Sequence, residues 1–404
     1  MNVLFLSPAY PPEMVQFTRG LAEVGATVWA VGDQPLQQVA RDLKGLVHAY
    51  LPVPRILDEA DVITRVLAWL NGRTPDRIET NWEPLTLTAA ALREALGVPG
   101  MSRKQVELFR DKPSMRAAVA AAGLRAPRTV RVHSRAELRE AALFTGFPLI
   151  LKPVAGAGSA DTHRIDSTEQ LEAMIRLVDR MELSCEEFVT GDELTYDTIC
   201  LNGKPVYESV SYYLPNVLDA RNHEWVSPIT MTVRDLSHPA VAGGIELGRA
   251  VLKALGMGTG FTHMEWFRNA AGDAVFGEIA SRSPGACMVD LMNYTSDIDL
   301  FREWARVVCH GQFVADATRR FNTAIIFKRA QGQGRIRGSS GLDQFRAKYG
   351  RYIAREDFLK PGAERRDWKQ TFLSDGHIVV RHPDHDAARE MADEAARSIA
   401  VYAG

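Results

Sequence analysis

Asn202-Gly203 sits between two runs of alternating apolar and polar residues, Thr195 to Leu201 and Val206 to Tyr213. A two-residue Asn-Gly loop takes positive φ at both positions, which suits the tight turn of a β-hairpin. An antiparallel pair is therefore expected in the middle of the chain. The N-terminal stretch demands another arrangement. Val3 to Leu6 is a short apolar run, followed by Pro8, Pro11 and Pro12 and a helical spacing through Val15, Leu21 and Val24. Thr27 to Val31 is a second β-rich run ending at Gly32. This is the β-α-β opening of a doubly wound α/β sheet. A chain with both features folds in parts, and 404 residues leave room for roughly two to four domains.

The first unit continues with a helix over Asp58 to Asn71, a strand over Arg77 to Asn81 and a helix over Thr86 to Leu96. Gly97-Val-Pro-Gly100 closes it near residue 100. The loop after the first strand lacks G-x-G-x-x-G, so no dinucleotide site is read there. Arg110-Asp-Lys112-Pro then leads into an alanine-rich helix. Thr129 to Val132 is a strand, and Ser134 is the N-cap of a helix with Glu137 three residues on. Further expectations are a strand from Pro148 to Pro153, helices over Leu171 to Met181 and His238 to Leu255, a helix after Asp297, strands over Thr323 to Lys328 and Ile378 to Arg381, and a closing helix from Asp386 to Val401. The charged 360s read as an exposed loop.

Chemistry concentrates in two places. His263-Met-Glu265-Trp-Phe and Val275-Phe-Gly-Glu278-Ile-Ala-Ser-Arg282 alternate on either side of a polar turn, which predicts a second hairpin. Folding it about the turn brings Glu265 and Glu278 to one end of one sheet face. Two carboxylates facing a cavity suit Mg²⁺, which takes one or two acidic ligands plus nucleotide phosphates. Arg282 adds a fork for phosphate or carboxylate. Lys152 ends an apolar strand ahead of Ala155-Gly156-Ala157-Gly158-Ser159-Ala160, where small residues let backbone amides approach phosphate oxygens. This loop is not a Walker A, since no G-K-[ST] follows. Lys112 alone reads as an ordinary solvated lysine, Glu186-Glu187-Phe188-Val189 as an edge strand, and His263 as a histidine of the core or one that supports a site residue rather than a catalytic one.

The order of these features carries more than each alone. Lys112, Lys152 with its small-residue loop, Glu186-Glu187 leading to Glu193, then Glu265 and Glu278-x-x-x-Arg282 resembles the ATP-grasp superfamily. The likeness is best over residues 100 to 300, and the flanking segments are similar to a biotin carboxylase-like layout. The thirteen-residue step between the two glutamates, with arginine four further on, looks most like L-amino acid ligases and related carboxylate–amine ligases. The resemblance implies an α/β fold: an N-terminal open parallel α/β domain over 1–100, an ATP-grasp core of two α+β lobes over 101–310 (a central lobe at 115–190, a nucleotide and metal lobe at 191–310), and a small C-terminal β-containing domain over 311–404. It implies that ATP and Mg²⁺ are used to activate a carboxylate as an acyl-phosphate and join it to an amine of a small amino-acid-like substrate. Lys112 and Lys152 would bind phosphates. Gly156 to Ala160, with Gly158 and Ser159, would form the covering loop. Glu186, Glu187 and Val189 would edge the adenine, and Glu193 would take the ribose. Glu265 and Glu278 would hold Mg²⁺, and Arg282 would stabilise the transferring phosphoryl group. A homodimer is a further expectation of the family. One departure stands out: where many members read Glu-x-Asn-x-Arg, this chain has Ala280, which offers no oxygen to a second Mg²⁺.

The bulk composition narrows the partners. A formal charge of -2 gives no reason to expect nucleic acid or an anionic membrane. No apolar stretch of about 18 residues or more exists, so no membrane span is expected. Cys185, Cys200, Cys287 and Cys309 show no metal spacing and read as buried thiols of a reducing, cytoplasmic setting. Two alternatives remain at this level. One is a non-catalytic ATP-binding protein on the same scaffold. The other is a GT-B-type glycosyltransferase, to whose starts Phe5-Leu-Ser-Pro-Ala-Tyr-Pro-Pro12 is similar, although the acidic sugar-nucleotide signature is missing.

Overall fold

In the computed structural model, residues 1–154, 162–371 and 373–404 are described. β1 (Asn2–Leu6), β2 (Thr27–Gly32), β3 (Ala49–Pro52) and β4 (Arg77–Glu79) form a parallel sheet in the order β3-β2-β1-β4. Val3 to Leu6 are all fully buried, as a strand covered on both faces must be. The helix Glu59–Leu70 starts where the Asp58 carboxylate accepts the Asp61 N–H at 3.1 Å, and ends at Asn71 in the left-handed region. Strand order reverses beside β1, so the crevice beyond the carboxyl ends of β1 and β4 is where such a sheet places a ligand.

A second, antiparallel sheet contains β5 (Thr129–Val132), β6 (Leu149–Pro153), β7 (His163–Ile165) and β8 (Leu183–Glu187) in the order β5-β8-β6-β7. Ser134 caps its helix as expected, accepting the Glu137 N–H at 3.2 Å. Glu137 returns to the N–H of His133 rather than to that of Ser134. The helix expected over Leu171 to Met181 begins earlier, at Thr168, because Ser167 caps it. It tightens to a 3-10 turn over Ile175–Asp179.

The third sheet has eight strands. β9 (Gly191–Leu201) and β10 (Lys204–Leu214) are the Asn-Gly hairpin, with φ of 50° at Asn202 and 79° at Gly203. β11 (Ile229–Thr232), β12 (Gly260–Asn269), β13 (Ala274–Ala280), β14 (Asn322–Lys328), β16 (Ile353–Phe358) and β17 (Gly376–His382) complete the order β13-β12-β9-β10-β11-β14-β17-β16. Strands from beyond residue 311 thus extend the sheet that carries the hairpin of Glu265 and Glu278. The helix Pro239–Ala254 lies against β9 and β12 so closely that a Cβ on Gly244 would stand 2.1 Å from the Trp266 ring, and one on Gly248 2.2 Å from the Tyr196 ring.

The closing helix is shorter than the sequence predicts. It runs from His385 to Ser398, and Ala400–Ala403 forms β18 against β15 (Ile336–Ser340). Buried, β-branched Ile399 and Val401 favour extended backbone there. The cysteines are unpaired; Cys185, Cys200 and Cys309 are buried as expected, whereas Cys287 is half-buried. No helix among the described residues is long and apolar enough to cross a membrane. The GT-B reading is corrected by this topology: beyond the first sheet the large sheets are antiparallel, and the described residues form no second parallel doubly wound unit.

Candidate active site

A cleft of about 420 Å³ opens between the second and third sheets and reaches the carboxyl end of the first. The hairpin β12–β13 supplies part of its lining. Glu265 and Glu278 are direct cross-strand partners, because the register shifts between Glu265 and Trp266 and leaves Gly277 as the extra residue. Like charges placed opposite each other repel, and here a cation relieves them. Lys112, the first residue of the helix Lys112–Ala121, forms an ion pair with Glu278. Burial would push the Glu278 carboxyl up, but Lys112 and then Lys152 pull harder and hold it down to about 2. For Lys112 the same pairing outweighs burial and raises its pKa. Among the described residues no group of three or more acidic, His or Cys side chains is arranged to hold a metal by itself. Two carboxylates on one face are still the donor set Mg²⁺ uses when a substrate's phosphates complete its shell. Ala280, opposite His263, brings no oxygen.

Lys152 near the end of β6 and Glu186 on β8 pair at 2.8 Å, and Glu186 also takes Arg116 at 2.7 Å. Ser184 donates to the same carboxylate at 2.9 Å. Glu186 is therefore occupied by protein cations. Burial alone would raise its pKa, but Arg116 and Lys152 together hold it well below the usual carboxylate range. Burial lowers Lys152, against the pull of Glu186. Glu187 pairs with Arg125 and Arg128 and accepts the Arg128 N–H at 3.0 Å. Val189 lines the same end of the cleft. Glu193 is buried and accepts the Val217 N–H at 2.7 Å; burial and then the Glu265 charge push it up to about 8. Gly156, Gly158 and Ser159, and the whole expected covering loop, lie outside the described residues.

Arg282 completes the constellation. Its Nε and Nη2 donate to Glu83 at 3.1 and 2.9 Å, and Glu83 also pairs with Arg110. Glu83 follows β4, at the strand end where a parallel sheet places ligands. Sequence reading passed over it, although its position after a strand of the first unit was a usable signal. Arg116 was missed because nothing in an alanine-rich helix marks one arginine as buried. His263 is not a plain core residue: its Nδ1 lies 2.6 Å from Asp197, and its Nε2 3.7 Å from Glu265. Burial would lower His263, but Asp197 raises it to about 9. Tyr213, Pro215 to Arg221, Pro228, Gly285, Ala286 and Met288 also line the cleft. Trp225 does not, being 81% exposed.

Against solved structures, the whole chain superposes on an L-amino acid ligase from Bacillus licheniformis with a TM-score of 0.78 at 19% identity, covering 100% of this chain and 99% of that one. The fold is ATP-grasp. Among curated proteins, the ATP-grasp chain is 24% identical over 262 residues to an L-arginine-specific L-amino acid ligase of Bacillus subtilis, covering 63% of this chain and 62% of the relative. It is 26% identical over 277 residues to an alanine–anticapsin ligase of the same species, covering 63% of this chain and 58% of that protein. The chain thus matches less than two thirds of the length of these curated relatives. No family model matches it.

Proposed function

We propose that this ATP-grasp chain is an ATP-dependent carboxylate–amine ligase that releases ADP and phosphate. Its substrates on this reading are small amino-acid-like carboxylates and amines. The observation that carries the reading is the convergence of Glu265, Glu278, Lys112, Lys152 and Arg282 on one cleft. A carboxylate is a poor electrophile because its leaving group would be oxide. Transfer of the γ-phosphoryl group of ATP to it gives an acyl-phosphate, whose leaving group is phosphate, and an amine then displaces that group to form an amide. Mg²⁺, when bound between Glu265 and Glu278, supplies charge neutralisation at the phosphates. Lys152 and Arg282 add fixed positive charge around the phosphoryl group in transfer, where electrostatic preorganisation contributes most. Lys112, which pairs with Glu278 in the ligand-free chain, would hold a phosphate oxygen where the metal takes up that carboxylate. Glu193, at the end of the cleft near Val189, takes the ribose hydroxyls as an acceptor.

The residue roles, a cytoplasmic location, a homodimer and the division at residues 100 and 310 belong to this proposal. It is tested by incubating the chain with Mg·ATP, a panel of amino acids and small carboxylates, and hydroxylamine as generic nucleophile. Hydroxamate formed in step with ADP is the expected result and names the donor. Release of AMP would overturn the acyl-phosphate route, and ATP binding without turnover on any carboxylate would favour a binding protein.

A further inference from the structure

A second cavity, of about 290 Å³, lies apart from the cleft, bounded by β4, the segment following Pro99, the start of β12 and the helix Leu300–His310. A single water needs only roughly 10–15 Å³ on this kind of measure, so the space holds a small molecule. Its polar end is built on β4. Arg77 and Glu79 line it, while Ile78 between them points into the N-terminal core, as strand alternation requires. Glu79 has no hydrogen bond or ion pair among the described residues, and burial raises its pKa against the pull of Arg93 and Arg77. Arg93 does not pair with it, since its Nε and Nη1 donate to the carbonyls of Met101 and Ile78 at 3.1 and 2.7 Å. Arg77 gives its Nε to the Val308 carbonyl at 3.0 Å. Asn81, two residues beyond Glu79, is 4% exposed, and its Nδ2 has no hydrogen-bond partner among the described residues. The amide orientation is set because Oδ1 accepts the Ser283 N–H at 3.4 Å.

An unpaired carboxylate calls for a cationic donor, and an unpaired amide N–H beside an arginine calls for an anionic acceptor. Met101, Met257 and Trp304 add apolar lining to the cavity. We infer that this cavity is a second binding site, for a free α-amino acid with an aliphatic side chain. Its ammonium group sits on Glu79, its carboxylate on the Asn81 amide and Arg77, and its side chain against the methionines. Glu83, two residues after Asn81, holds Arg282. The two sites are thus neighbours along the chain, with Ser281 in one and Arg282 in the other. The inference does not depend on the ligase reading, since it concerns binding alone.

The test is calorimetric titration of the full chain with L-leucine, L-methionine and L-valine in the absence of nucleotide. Saturable binding of at least one is expected, weakened on the order of ten- to a hundredfold by the isosteric Glu79→Gln. No saturable binding of any of the three up to millimolar concentration overturns the inference, as does equal affinity in Glu79→Gln. Should that variant not fold, crystals of the unaltered chain soaked with L-leucine decide. Density at Glu79 and Asn81 supports the site; density only between Lys152 and Arg282, or none, overturns it.

Discussion

Glu265 and Glu278 face each other across the hairpin only because Gly277 bulges out of β13. With strict register Gly277 would oppose Glu265, and Glu278 would project from the other face of the sheet. The bulge also turns the Gly277 carbonyl toward Arg116, whose guanidinium donates to it at 3.3 and 3.4 Å. A Cβ on Gly277 would stand 2.7 Å from the Glu265 carbonyl oxygen. Gly277→Ala is therefore expected to cost about 1–3 kcal/mol of stability, and to lower ADP release by on the order of 10²-fold or more through misplacement of the carboxylates. Urea unfolding and a coupled ADP assay check both. Full activity in the variant would mean that the bulge does not set the carboxylate pair.

The same pairing separates folding from function at Glu265. It stands opposite another carboxylate, and Lys112 sits on Glu278 rather than on it. Glu265→Gln removes the repulsion from Glu278 but also the attraction of charged His263 at 3.7 Å, so the stability of the ligand-free chain should change by less than about 1 kcal/mol in either direction. The rise in melting temperature on adding Mg·ATP should shrink or vanish, because one of two acidic ligands is lost. A variant whose Mg·ATP-dependent shift matched that of the unaltered chain would move the metal away from Glu265.

Much of this was legible in the sequence wherever a local rule suffices. The Asn202-Gly203 turn, the Ser134 cap and the alternation around Glu265 and Glu278 depend on neighbours within a few residues. The illegible parts are long-range. Glu186 read as an edge carboxylate, and only the packing of the helix Lys112–Ala121 on the second sheet shows two cations closing on it. Lys112 read as solvated for the same reason. β18 was read as helix because the apolar spacing of the closing helix runs on through Ile399, and only its pairing with β15 marks the change.

Glu186 gives a prediction of its own. Its side chain is 4% exposed and holds Arg116 and Lys152. Neutralising it strands two buried cations, a change that costs about 3–5 kcal/mol when a buried pair is broken. Glu186→Gln should lose that order of stability, whereas Glu187→Gln, whose arginine partners are about half exposed, should lose less than about 1 kcal/mol. Denaturant midpoints of the two variants side by side decide. Equal losses would show that Glu186 is solvated in solution.

His377 on β17 predicts how the fold meets acid. The residue is 3% exposed beside Phe327, its Nε2 has no hydrogen-bond partner among the described residues, and burial lowers its pKa to about 4 from the ordinary 6.5. Between those values the unfolded chain binds the proton and the folded chain does not, so stability rises with pH across that window. The contribution is fully present above the ordinary value and is lost as pH falls through the folded one; it amounts to a few kcal/mol at most. His377→Leu keeps the buried volume and removes the titration. Urea unfolding at about pH 7.5 and about pH 5 should then show the unaltered chain losing more stability than the variant. Parallel losses in the two proteins would mean that His377 accepts its proton in the folded state, with the Asp357 carboxylate as the nearest compensating charge.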